Sequence, residues 1–431
     1  MPINADTKND LPRIQELPDP FLRADSSRVT SEEEWSEQRE YLKELLAVYM
    51  YGKMPPAPAS TRGEILFSRP VYGGQAIAES VLIHTGPSES ISFRADLIRP
   101  NIEGKVPVIT RNQFADRDGS PIEEDLVCRR GYAIIEFDRE QLAADNNSAL
   151  DGPLARAYPD YDWGTTAMWA WGQSRVLDYL LTTEFADPEK IAATGHSRGG
   201  KVALCAAIYD ERFAVCVPNN SGCGGAGCFR FLGSRLGRDT GTCETIGVMA
   251  DAFPYWWTDR FGKFGRRSLE YTRSTCGDID TETMRAERDP ALTGTLGDEA
   301  YLPFDLHTAK ALIAPRPLLT TEALGDTWAN TYGTQVTWRA AQEVYDFLRV
   351  PELNAIHFRE GGHAFSKDDW EALADFCDRV FRGKEPEKRS IIHFPPADSR
   401  PDPRTAPLDW RSKRLHYSWR NPSAGTSSNQ A

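Results

Sequence analysis

Long apolar runs are missing from this chain. No segment of its 431 residues approaches 18 consecutive apolar positions, which excludes a membrane-spanning helix. Basic excess is missing too: 50 Lys and Arg against 63 Asp and Glu leave a net charge of −13. Phosphate backbones are bound by clustered Lys and Arg, so nucleic acid is not the expected partner. The eight cysteines form no C-x-x-C pair and, with the histidines, no zinc-finger spacing. They read as packed thiols, with one bridge inside the Cys223–Cys243 stretch left open for an exported protein. No H-E-x-x-H and no carboxylate cage occurs, so neither a metal nor a cofactor is expected. The amino terminus has no basic n-region and no apolar h-region. It reads as that of a cytoplasmic protein, or of a secreted or periplasmic one whose signal has been removed. There is no internal repeat.

What is present is a globular composition, 40 % hydrophobic and 10 % aromatic. Residues 1–30 read as an extended, Pro-rich lead-in. Ser31-Glu32-Glu33-Glu34 opens an amphipathic helix that ends at Gly52. Strand-like runs follow near 63–69, 76–84, 91–99, 106–110 and 132–137. A helical pattern covers 164–183, a strand 191–194, a helix of small residues the stretch after 200, and a strand 213–217. Residues 219–300 break this rhythm, being rich in Gly, Trp, Tyr and charge, and read as an inserted lid over a site. Alternation resumes with a strand at 317–321, a helix near 334–348, a strand at 354–359 and a helix at 367–382. Strands alternating with helices predict an α/β three-layer sandwich around a mainly parallel sheet, over residues 31–385. Residues 386–431 read as an irregular tail.

Gly195-His196-Ser197-Arg198-Gly199 matches G-x-S-x-G between a predicted strand and a predicted helix, the setting of a nucleophile elbow in the α/β-hydrolase fold. The glycines leave room for a sharp turn that lifts the hydroxyl of Ser197, and the next amide and the helix start favour an oxyanion. The competing reading is a structural Gly-rich turn. Arg198 at a helix start opposes the helix dipole, which favours a task at the oxyanion over a surface position. Lys201, four residues after the serine, is placed to face the same pocket. A serine hydroxyl needs a base. Gly361-Gly362-His363 follows the last predicted strand, where this fold carries its histidine. His357 lies within that strand, and His196 is expected to point away from the serine. The loop after 213–217 offers Asn219 and Asn220 but no carboxylate. The loop after Thr321 offers Asp326, with Glu322 as the alternative acid; either is otherwise a solvated loop carboxylate.

Together these stretches resemble the glucuronoyl esterases of carbohydrate esterase family 15 over roughly residues 30–385. The resembling motifs are residues 195–201, the Gly-Gly-His at 361–363, and the run from Asn220 through Ser221-Gly222 to Cys228-Phe229-Arg230. Phe253-Pro254-Tyr255-Trp256-Trp257 and Asp326-Thr327-Trp328-Ala329-Asn330 complete the set. The resemblance implies an α/β-hydrolase acting on uronate esters with Ser197 as nucleophile, His363 as base and Arg198 at the oxyanion. It implies Lys201 on sugar hydroxyls, Trp328 against the sugar, and Glu244 and Asp251 near the uronate ring; Trp256 and Trp257 read equally as lining the site or as aromatics of the lid core. The implied partner is a small or polysaccharide-linked ester such as glucuronoxylan. Two positions depart from the family pattern. Its common glutamate falls on Asn220, which shifts the acid role to Asp326. The fungal disulfide beside the nucleophile and histidine falls on His196 and Ala364.

Overall fold

Short apolar runs and amphipathic stretches combine into one ten-stranded sheet with helices on both faces. The computed structural model describes residues 11–113, 121–231, 243–265, 298–385, 392–393 and 417–425. In chain order the strands are β1 (Arg62–Val71), β2 (Ala76–Thr85), β3 (Ile91–Pro100), β4 (Val106–Arg111) and β5 (Ala133–Phe137). They continue as β6 (Ala186–His196), β7 (Val215–Asn219), β8 (Leu318–Ala323), β9 (Asn354–Arg359) and β10 (Ile392–His393). Their spatial order is β1-β2-β3-β5-β4-β6-β7-β8-β9-β10. The run from β5 to β9 is parallel, and β1–β3 and β10 join it antiparallel. This is the expected α/β-hydrolase arrangement.

The main helices are α1 (Glu32–Leu46), α2 (Thr165–Leu180), α3 (Arg198–Tyr209), α4 (Thr331–Phe347) and α5 (Lys367–Arg382). One face of the sheet shares a core with α1 through α4, including Trp35, Trp169, Leu204 and Tyr345. The other face packs on α5 through Trp370, Leu373 and Phe376. β4 and β7, buried at every position, carry no polar alternation, as strands covered on both faces should. Helix α3 is built from small residues, with Ala203, Ala206 and Ala207 all buried, so it lies close against the sheet and fixes its own first turn.

Helix α1 starts where its cap predicts: the Ser31 side chain accepts the Glu34 amide at 3.3 Å. The Glu34 carboxylate reaches back to the Thr30 amide at 2.6 Å. The segment before α1 is no loose lead-in. Leu17, Phe21 and Val29 are buried, and the Phe21 ring lies 5.5 Å from Trp35. Part of the carboxy-terminal segment docks beside it: the Trp419 indole donates to the Leu17 carbonyl at 2.7 Å, and Ser418 bonds Glu16. Apolar anchors inside Pro-rich segments explain why composition alone misses this packing.

Within the expected lid, residues 232–242 and 266–297 lie outside the described residues. The described parts are core-like. Phe229, Tyr255, Trp256, Phe261 and Phe264 are buried, and Arg230 forms a fully buried pair with Asp305 at 3.2 Å. Cys223, Cys228 and Cys243 are free buried thiols, and Cys223 Sγ points to the Cys228 carbonyl at 3.0 Å, so no bridge forms in that stretch.

Candidate active site

Ser197 sits between β6 and α3 with φ 57° and ψ −125°, a backbone region that a residue bearing a Cβ rarely occupies. The turn is held by its neighbours. The Ser197 amide donates to the Asn219 carbonyl at 2.9 Å, and the Gly200 amide to the Ser197 carbonyl at 2.9 Å. Asn112, buried after β4, donates to the Gly199 carbonyl at 2.9 Å. A Cβ at Gly195 would lie 2.2 Å from that carbonyl oxygen, so the elbow closes only over glycine.

The carboxyl ends of β8 and β9 bring the next two groups together. Leu324 and Gly325 donate their amides to the carbonyls of Arg359 and Gly361 at 2.8 and 2.9 Å, stitching the two loops edge to edge. At this seam His363 Nδ1 meets Asp326 Oδ2 at 2.5 Å. Asp326 is buried while the His363 side chain is 39 % exposed, so a shielded carboxylate orients an imidazole that reaches the solvent side. Asp326 Oδ1 also accepts the Ala329 amide at 3.2 Å, which fixes the carboxylate.

Glu322 does not compete. The sequence places it at the start of a loop, but β8 extends through it and turns it into the core. Its Oε1 accepts from Thr334 at 3.1 Å, and burial pushes its carboxyl well above the usual carboxylate range. Lys310, buried nearby, is pushed down to about 7 by the same desolvation.

The ring of His363 packs on the ring of His196, centroids 4.5 Å apart. His196 precedes the serine, so this contact joins the histidine loop to the elbow. No hydrogen bond links the Ser197 hydroxyl to His363, and catalytic hydrogen bonds of this kind are often long before the reaction complex forms. His196 Nδ1 bonds Asn219 Oδ1 at 2.6 Å, and burial first, with the charges of His363 and Arg111 adding, pushes its imidazole down to about 4. The sequence, which points His196 away from the serine, gives no hint of this ring contact.

Asn220, where the resemblance leads one to expect a glutamate, is buried. It accepts the Ala323 amide at 2.6 Å and donates to the Ala364 carbonyl at 2.8 Å. An amide, donor and acceptor at once, ties the acid loop to the histidine loop where a carboxylate would lack the donor.

Lys201 and Glu244 form a buried pair at 2.7 Å. The ammonium also donates to the carbonyls of Ser221 at 2.8 Å and Cys223 at 2.5 Å. All three of its donors therefore have protein acceptors. Burial raises the Glu244 carboxyl, while the charges of Lys201, His363 and Arg198 pull it back, which places these groups around one region. A Cβ at Gly222, where φ is +62°, would lie 2.4 Å from Glu244 Oε2. Trp328 is half-buried and its carbonyl accepts the Glu244 amide at 3.1 Å.

Trp257 and Asp251 differ in burial. Trp257 is a core residue, packed on Tyr51, Phe261 and Gly224, because the segment before it folds inward. Asp251 is exposed on the last turn of the helix Ile246–Ala252, apart in burial from Glu244. Asp145, absent from the sequence reading, contacts Arg198; no motif surrounds it, and only the fold brings it to the elbow.

The comparisons with known proteins bear on the family. The family profile described as "Glucuronyl esterase, fungi" matches residues 83–273 and 272–349. A carbohydrate esterase family 15 glucuronoyl esterase from Caldicellulosiruptor kristjansonii is 30 % identical, with a TM-score of 0.67 over 88 % of this chain and 94 % of that one. The chain belongs to the glucuronoyl esterases of carbohydrate esterase family 15. It is a carboxylic ester hydrolase of the serine-esterase kind. A family 15 esterase described as promiscuous, from a marine bacterial metagenome, is 25 % identical, with a TM-score of 0.67 over 87 % of this chain and 99 % of that one. A 4-O-methyl-glucuronoyl methylesterase of Phanerochaete carnosa is 27 % identical over 86 % of this esterase and 82 % of its own length.

Proposed function

We propose that this esterase hydrolyses esters of 4-O-methyl-glucuronic acid, as they occur between glucuronoxylan and lignin alcohols, through an acyl-enzyme on Ser197. The observation that carries the reading is the Asp326–His363 contact of 2.5 Å, beside an elbow whose strained serine precedes a helix. His363 takes the Ser197 proton as Oγ attacks the ester carbonyl. The oxyanion is received by the amides of the elbow and by the Arg198 guanidinium. Collapse expels the alcohol, which takes the proton from the imidazolium. Water, activated by the same imidazole, then attacks the acyl-enzyme and releases the uronate. Asp326 holds the tautomer and balances the imidazolium charge throughout.

Glu244 and Trp328 are the groups offered to the uronate ring, with Lys201 fixing the Glu244 carboxylate. A neutral ester is not repelled by a protein of charge −13, whereas the anionic product is. The test is a panel of methyl 4-O-methyl-glucuronate, methyl galacturonate and p-nitrophenyl acetate, with Ser197→Ala as control. The reading predicts the highest kcat/KM on the glucuronate and none in the variant. A preference for the acetyl ester assigns the protein to broad carboxylesterases instead.

A further inference from the structure

Asp145 lies in the long connection between β5 and α2, far in sequence from the elbow, yet its carboxylate is divided between two groups of the site. One oxygen pairs with Arg198 Nη1, and the other accepts the Trp256 indole N–H at 2.8 Å. Its backbone carbonyl accepts the Tyr255 hydroxyl at 2.7 Å. The carboxylate is thus anchored from outside before it touches the arginine, and its side chain is 8 % exposed against 34 % for Arg198. The guanidinium lies 5.0 Å from the Trp256 ring and 5.4 Å from the Phe253 ring, and these two rings stack at 3.9 Å. A second guanidinium, Arg139, is buried on the same side, donates to the Asn112 carbonyl and Gln113, and feels the Arg198 charge.

Arg198 needs such a hold. It occupies the first position of α3, where the helix dipole disfavours a cation, and Arg139 repels it. A free arginine chain would swing into solvent and lose its aim at the elbow. A pair of one carboxylate oxygen and one Nη leaves the remaining N–H groups of the guanidinium for another acceptor.

We propose that Asp145 is a positioning residue that, with the Trp256 indole, holds the Arg198 guanidinium aimed at the ester oxyanion. The proposal rests on the oxyanion role given to Arg198 above, and Asp145 acts only through it.

The test is a double-mutant cycle on the full chain with methyl 4-O-methyl-glucuronate, with the thermal midpoint followed in parallel. Arg198→Ala lowers kcat by about 10²–10³-fold if it serves the oxyanion. Asp145→Asn then lowers kcat by about tenfold or more, as part of that contribution, with KM within about twofold. In the Arg198→Ala background the same change costs less than about twofold, because there is no guanidinium left to aim. Trp256→Phe, which keeps the ring and removes the N–H, falls between wild type and Asp145→Asn, and Asp145→Glu recovers part of the loss. Near-normal turnover of Arg198→Ala ends the oxyanion reading and the proposal with it. A large loss in Arg198→Ala together with an equal, additive loss from Asp145→Asn in both backgrounds overturns the proposal alone.

Discussion

Asn220 Nδ2 donates to the carbonyl oxygen of Ala364, one residue beyond the candidate base, at 2.8 Å. The other end of the same amide accepts from Ala323 at the close of β8. One side chain thus ties the loop that bears the acid to the loop that bears the base.

Asn220→Ala therefore takes the side-chain acceptor from the Ala323 amide and leaves the Ala364 carbonyl with the Arg359 guanidinium alone. The expected cost is about 1–3 kcal/mol of stability for a buried group left unpaired. Turnover should fall by about tenfold through loss of histidine placement, since each 1.36 kcal/mol of barrier is a factor of ten. Urea titration and steady-state kinetics on the purified variant measure the two effects, and a variant equal to wild type in both contradicts the tie.

The two carboxyls near the histidine should separate cleanly on mutation. Asp326→Asn removes the oriented charge and should lower kcat by about 10⁴-fold, by analogy with triad proteases. Glu322→Gln replaces a buried carboxyl with a neutral group of the same shape, and should leave kcat within about threefold because Glu322 touches Thr334 and not the imidazole. The reverse ranking in initial-rate assays would transfer the acid role to Glu322.

Acid should destabilise the fold through buried histidines. His307 is fully buried and burial pushes its imidazole down to about 4, with Nε2 on the Pro18 carbonyl at 2.8 Å. Unfolded, it titrates near 6.5. Between these values the unfolded chain binds the extra proton, so stability present above about pH 6.5 is lost as pH falls towards about 4. The full contribution is on the order of 3 kcal/mol. His196 acts in the same direction. His307→Gln should flatten the fall of the urea midpoint between pH 6.5 and 4.5; an unchanged slope contradicts this assignment.

The Arg230–Asp305 pair carries the described part of the insertion. Arg230 also donates to the carbonyls of Leu302 and Phe304, so it is enclosed on every side. Asp305→Ala strands a buried guanidinium and should cost about 3–5 kcal/mol. Replacing both partners, as Arg230→Met with Asp305→Leu, should cost less than the single change. Thermal melts of the two variants and the wild type check the order.

The sequence made the sheet legible because strands buried on both faces are continuous apolar runs and helices carry a different period. It made Ser197, His363 and Asp326 legible because each lies at a strand end in a glycine-marked loop. Glu322 was ambiguous because one residue of strand length decides whether a carboxylate faces a loop or the core. The burial of Trp257 depends on contacts with Tyr51 and Phe261 that no local pattern encodes. Asp145 and the ring of His196 gain their places only from tertiary folding, where segments 53 and 167 residues away meet them.

The most direct measurement is the site of covalent labelling. After inactivation with a fluorophosphonate, peptide mass mapping should find one adduct, on Ser197, formed with loss of all esterase activity. The reaction should be slowed by orders of magnitude in Asp326→Asn, because the same imidazole must take the proton. Activity that survives stoichiometric modification of Ser197, or an adduct on a different serine, would contradict the account.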